Sequence, residues 1–255
     1  MEGLTGSDMR FPNLLMVGVQ KAGTTWMHET LSGSRHIFGS AKKELSLWGH
    51  DGWRYRLDAY RAHFPTDAKP GARFYLESTP HYFHAPNVFH DIAAEIRETI
   101  PDVRVMVMLR NPVERYRSAY IHHMRKGRLP FAPEIEDVTD AQIMLSTGLY
   151  GRILNHWITV FPDMLVLSYD RLSAAPGDLL CDVFEWLGLD CDIDLERLLP
   201  PSHTAEQKQS EAAWPSMPRL SNDAREELSA YYRDDLALLD TLVSFDAQAW
   251  LRTDD

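Results

Sequence analysis

Between Gly18 and Trp26 the chain reads Gly-Val-Gln-Lys-Ala-Gly-Thr-Thr-Trp, two glycines around a lysine with two hydroxyls behind them. Glycines let backbone N–H groups turn inward onto an anion, and a helix that begins at the threonines adds its positive dipole end. That order of residues suits a P-loop-like phosphate cradle. The nucleotide-kinase loop G-x-x-x-x-G-K-[ST] has the same glycine separation, but Thr24 stands where its lysine belongs. The charge sits on Lys21 instead, where it meets a group nearer the loop mouth than the β/γ phosphates. The bland alternative is a tight strand-to-helix turn with Lys21 in solvent.

A second strand-to-helix junction runs from Met106 to Ser118, Met-Val-Met-Leu-Arg-Asn-Pro-Val-Glu-Arg-Tyr-Arg-Ser. Asn111 reads as N-cap, Pro112 as the first helical residue and Glu114 as the reciprocal capping carboxylate. Arg110 then ends the strand, and Ser118 lies about two turns into the helix, where a hydroxyl gains little unless it faces a partner. An arginine fork with a hydroxyl suits a second phosphate. Pairing of Arg110 to a local carboxylate, with Ser118 exposed, is the competing view.

Two anion sites and a tryptophan between them describe a nucleotide with phosphates on both sides of its ribose. Gln20 to Trp26 and Leu109 to Tyr120 resemble the 5′-phosphosulfate and 3′-phosphate signatures of sulfotransferases that use 3′-phosphoadenosine 5′-phosphosulfate (PAPS). The likeness continues through Lys43-Glu44, Leu76 to Phe83 and Tyr150 to Leu172, covers about residues 11 to 190, and is closest to the heparan sulfate and bacterial carbohydrate branch. The resemblance implies a donor PAPS and a product PAP, with Lys21 on the bridging oxygen of the phosphosulfate. It implies Ala22, Gly23, Thr24 and Thr25 around the 5′-phosphate, Arg110 and Ser118 on the 3′-phosphate, and Trp26 stacked on adenine. Glu44 would be the general base, as in the carbohydrate branch, with His81 as the rival because cytosolic sulfotransferases use a histidine; His84 is a further rival.

The chain departs from the family in two places. Members often read Glu-Lys-Thr-Pro where this chain has Glu77-Ser78-Thr79-Pro80, which leaves Lys43 or His81 to supply the missing charge and Glu77 either to support the site or to end a strand. The heparan-type Lys-Gly-Arg loop and its nearby disulfide are absent from 203–218, where Lys208 is the only cation. Lys208 is the cofactor contact expected there, on a loop expected to be mobile without ligand.

Four mostly apolar runs must carry these motifs: Asn13 to Gly18, Phe74 to Leu76, Val103 to Leu109 and Met164 to Tyr169. Their lack of alternation predicts strands covered on both faces, hence a parallel sheet. Helical patterns fall between and after them, at Thr25 to Leu31, Val88 to Thr99, Pro112 to Lys126, Arg152 to Val160, Pro176 to Leu187 and Asp223 to Leu242. The fold class is therefore α/β, a central, mostly parallel sheet flanked by helices, expected as one domain over 1–255 with residues 1–10 flexible. Ligands in such sheets bind beyond the carboxyl ends of the strands, where both motifs lie. The aromatic run Trp48, Trp53, Tyr55, Tyr60 and Phe64 reads as core under a long connection, or else as an acceptor pocket.

The 255 residues carry 26 Lys+Arg against 37 Asp+Glu, a net charge of −11. That field repels nucleic acid and polysulfated chains, so the expected acceptor is a small molecule, glycoside, lipid or peptide natural product. The apolar runs are too short to span a membrane, and neither a leader segment nor a disulfide framework is expected with only Cys181 and Cys191. A cytoplasmic location is the expectation. His81-x-x-His84 and His122-His123 lack the partners of a metal site, so none is expected. The alternative function is a P-loop nucleotide kinase, which should place a lysine at 24 and an aspartate for Mg²⁺ at a later strand end; that end carries Arg110.

Overall fold

A strand with no polar alternation has to be covered on both sides, and the first strand shows it: Leu14, Leu15, Met16 and Val17 are fully buried. Each such side chain contributes about 1.5–3 kcal/mol relative to exposure. The computed structural model describes residues 9–198 and 214–252. Strands β1 (Leu14–Gly18), β2 (Ile37–Gly39), β3 (Phe74–Ser78), β4 (Arg104–Leu109) and β6 (Leu165–Ser168) form one parallel sheet in the order β2-β3-β1-β4-β6. In its register Leu14 faces Leu76 on one side and Arg104 on the other. Two-residue strands β5 (Glu134–Ile135) and β7 (Arg219–Leu220) pair apart from it. After β1 the chain runs to β2 at one edge, comes back through β3 and crosses to β4 on the other side of β1, so the order switches sides between β1 and β4. Ligands in open α/β sheets bind at such a switch, and both anion motifs follow these two strands.

The helices are α1 (Thr24–Gly33), α2 (Leu57–Arg61), α3 (Ile92–Thr99), α4 (Pro112–Arg125), α5 (Tyr150–Val160), α6 (Tyr169–Ala174), α7 (Pro176–Leu187) and α8 (Asn222–Asp240). None of the described helices is long and apolar enough to cross a membrane. Helix α3 starts at Ile92 rather than Val88, because the Asn87 side chain captures the N–H groups of Phe89 and His90 and Asp91 caps the helix from Ala94. Tyr169 starts α6 instead of ending β6, since the Ser168 hydroxyl accepts from Asp170 N. Helix α5 begins earlier than its own sequence predicts because its cap comes from far away: Asp235 of α8 accepts from Gly151 N at 2.7 Å and Arg152 N at 3.0 Å. Trp48, Trp53, Tyr60 and Phe64 are core, whereas Tyr55 is 95% exposed.

Candidate active site

The β1–α1 loop is shaped by its two glycines for different reasons. A Cβ at Gly18 would lie 2.6 Å from Phe83 Cβ, so the close approach of the 80–84 segment requires glycine there. Gly23 is the N-cap of α1 with φ 80, a left-handed conformation that costs other residues about 1–2 kcal/mol. Leu172 and Tyr169 of α6 pack against its α-carbon. Because glycine has no side chain to cap with, the first-turn N–H groups of α1 receive no side-chain cap among the described residues. Such orphan donors at the positive end of a helix are suited to an anion. Thr24 is buried, Thr25 is exposed, and Lys21 is half-buried with φ 71.

The second motif closes onto the first. Arg110 Nη1 donates to the Lys21 carbonyl at 3.0 Å, and its guanidinium lies 4.6 Å from the ring centroid of Tyr169. Neither contact is with a carboxylate, and four of its five N–H donors are left over from the Lys21 bond. Asn111 caps α4 by accepting from Val113 N and Glu114 N. Glu114 does not complete the expected reciprocal cap: its carboxylate turns to Arg225 of α8 at 3.0 Å and to Arg117 at 3.7 Å. Ser118 is half-buried two turns along. On the same helix the His122 ring is held down to about 4 by burial and by the nearby charge of Lys21, so it is neutral at pH 7.

The segment that carries Glu44 is hung from the carboxyl end of β3. Three consecutive N–H groups donate to it: Glu44 N to the Ser78 carbonyl at 3.0 Å, Leu45 N to Glu77 Oε1 at 3.3 Å, and Ser46 N to Thr79 Oγ1 at 3.3 Å. The Glu44 side chain is left exposed, with its backbone at φ 58. Glu77 is fully buried, accepts the Thr79 hydroxyl at 2.5 Å, and has no partner for Oε2 among the described residues. Burial raises its pKa from 4.5 to about 7 against the opposing pull of the Thr79 and Leu45 bonds. Glu77 thus supports the loop rather than merely ending the strand, a role visible only once 40–46 is seen lying against β3.

Ser78 occupies the place of the expected cation, and it is buried with its hydroxyl 2.8 Å from His28 Nδ1. Burial, and then the charge of Lys43, lowers the His28 pKa to about 4. Lys43 itself reaches the cradle, with Nζ donating to Thr25 Oγ1 at 2.8 Å. His81 is exposed beyond β3, and His84 is pushed down to about 4 by burial and the neighbouring His81. Trp26 is buried in the first turn of α1, 7% exposed. Lys208 and 203–213 lie outside the described residues. Among the described residues no group of three or more His, Cys, Asp or Glu is placed to hold a metal ion. A groove of about 640 Å³ lined by Arg97, Arg104, Phe161 and Trp186 opens beside the start of β4, the opposite end of the strand from Arg110.

A sequence model described as the sulfotransferase domain matches residues 11–234. Human bifunctional heparan sulfate N-deacetylase/N-sulfotransferase 1 is 26% identical, over 96% of this chain and 31% of its own. Human heparan sulfate glucosamine 3-O-sulfotransferase 6 is 29% identical, over 71% of this chain and 53% of its own. The chain therefore matches about a third to a half of the length of these relatives. Among solved structures, a sulfotransferase from Alicyclobacillus acidocaldarius has a TM-score of 0.72 at 24% identity, covering 95% of this chain and all of that one. A mouse sulfotransferase solved with PAP has a TM-score of 0.51 at 15% identity, covering 96% and 88%. These two likenesses are of fold.

Proposed function

The chain belongs to the sulfotransferase domain family, and from that premise we propose that it moves the sulfuryl group of PAPS to a hydroxyl or amine of a small molecule, glycoside, lipid or peptide. The observation that carries the reading is the Arg110–Lys21 bond, which joins the two anion motifs at neighbouring strand ends into one surface. A nucleotide with phosphates on both sides of its ribose needs both at once. The uncapped turn of α1 fits the 5′-phosphate, and the donors of Arg110 that have no partner among the described residues, with Ser118, fit the 3′-phosphate.

In-line transfer of this kind passes through a loose state with little bonding to either oxygen, so the protein contributes position and charge. Lys21 meets the bridging oxygen, on which charge grows as the bond to sulfur lengthens. Glu44, exposed at the mouth of the site, takes the proton of the attacking group. The net charge of −11 disfavours a polysulfated acceptor. Incubation with PAPS and a panel of hydroxylated and amino acceptors tests the reading. A product heavier by one SO₃ supports it, and PAPS that stays intact with every acceptor counts against it.

A further inference from the structure

The segment between β2 and Leu47 brings a second ammonium to the cradle. Lys43 reaches across 18 positions to the hydroxyl of Thr25, the second residue of the uncapped turn of α1. The backbone is fastened on both sides of it, by Ser40 N on the Leu76 carbonyl at 3.0 Å and Glu44 N on the Ser78 carbonyl at 3.0 Å. Burial holds the Lys43 pKa below its usual value although Glu44, Glu29 and Glu77 pull it upward. A cation partly stripped of water and bonded to a neutral hydroxyl is poised for an anion. An ammonium has three donors, and a hydroxyl can accept one bond while donating another. Thr25 can therefore donate to a phosphate oxygen while accepting from Lys43, and two N–H bonds of Lys43 remain for the same anion.

We propose that Lys43 is a second catalytic cation, acting beside Lys21 on the oxygens of the 5′-phosphate; this rests on the PAPS reading above. As the acceptor oxygen bonds to sulfur, the bond from sulfur to the bridging oxygen breaks. Its electron pair stays on the 5′-phosphate, which gains one negative charge, and the acceptor's proton passes to Glu44. Lys43 precedes that base in the chain, so one short segment supplies charge to the leaving side and a base to the attacking side. Charge that appears only as the bond breaks makes the Lys43 contact stronger in the transition state than before it. His81, the other residue available to supply this charge, has no hydrogen bond to the cradle among the described residues.

Calorimetric titration of the full chain with PAP and with 3′-AMP, which lacks the 5′-phosphate, tests the proposal. Loss of a charge-assisted contact in Lys43→Met should weaken PAP by about tenfold or more and leave 3′-AMP within about twofold, with Lys43→Arg holding PAP within about threefold of wild type. A merely structural lysine would move both nucleotides together. Equal PAP affinity in wild type and Lys43→Met overturns the proposal, as does an equal loss for 3′-AMP. Lys43→Gln, measured alongside, gives the same comparison should the methionine variant not fold. Wild type that fails to bind PAP overturns the donor reading itself, an outcome distinct from failure at Lys43 alone.

Discussion

Arg110 at the end of β4 holds the carbonyl of Lys21 in the β1–α1 loop at 3.0 Å. One residue thereby belongs to both motifs: it shapes the first loop and, on the proposed reading, offers its remaining donors to the 3′-phosphate. Arg110→Ala should cost about 2–4 kcal/mol of PAP binding, the range for stripping one partner from a close charge pair. The analogue without the 3′-phosphate should lose less, yet measurably, because the Lys21 turn is loosened as well. Calorimetry on both nucleotides checks this; equal losses would make Arg110 a purely structural residue.

The three N–H bonds that tie 44–46 to Glu77, Ser78 and Thr79 leave the Glu44 carboxylate outward. Glu44→Gln keeps its shape and removes its basicity, so turnover should fall about 10²–10⁴-fold with PAP affinity nearly unchanged. His81→Asn should stay within about threefold of wild type, far under that range. The reverse pattern in initial-rate measurements would make His81 the base.

Glu77 is a buried acid that prefers its proton in the folded state, about 7 against 4.5. The native chain therefore binds more protons than the unfolded chain between those values, and stability falls as pH rises through that window. The difference amounts to roughly 3 kcal/mol at most. His28, His84 and His122, held neutral at about 4, act in the opposite direction as pH drops. Comparison with Glu77→Gln isolates the acid: wild-type stability relative to the variant should fall between pH 5 and pH 8 in denaturant titrations. A constant difference across that range would show that Glu77 is ionised in the native state.

Gly23 combines φ 80 with Leu172 Cδ2 only 2.7 Å from where a Cβ would sit. Gly23→Ala should destabilise the chain by about 1–3 kcal/mol through strain and crowding, and weaken PAP as the cradle shifts. Denaturation midpoints and a PAP titration measure the two effects, and wild-type values for both would contradict this account of the turn.

Four of the five strands of the main sheet and both strand-to-helix junctions were legible in the sequence because they depend on neighbours in the chain: apolar runs, two glycines, an Asn-Pro cap. Strand β2 was not, since three residues give no pattern. The start of α5 was not, because its cap is Asp235, 84 positions away from Gly151. The same limit applies within the site. The motifs name Lys21 and Arg110, but only the fold shows that they touch, that Glu77 carries the Glu44 loop, or that Lys43 reaches Thr25. Trp26 was legible as an aromatic at the right place, whereas its burial follows from packing that no local pattern encodes.

Titration of PAP against ATP, without magnesium, separates a sulfuryl-transfer site from a phosphoryl-transfer site. A cradle lacking the lysine at position 24, linked through Lys21 to an arginine at the next strand end, should bind PAP at least about tenfold tighter than ATP, the margin of one charge-assisted contact. Equal affinities, or binding that strictly requires magnesium, would contradict the account and point instead to phosphoryl transfer.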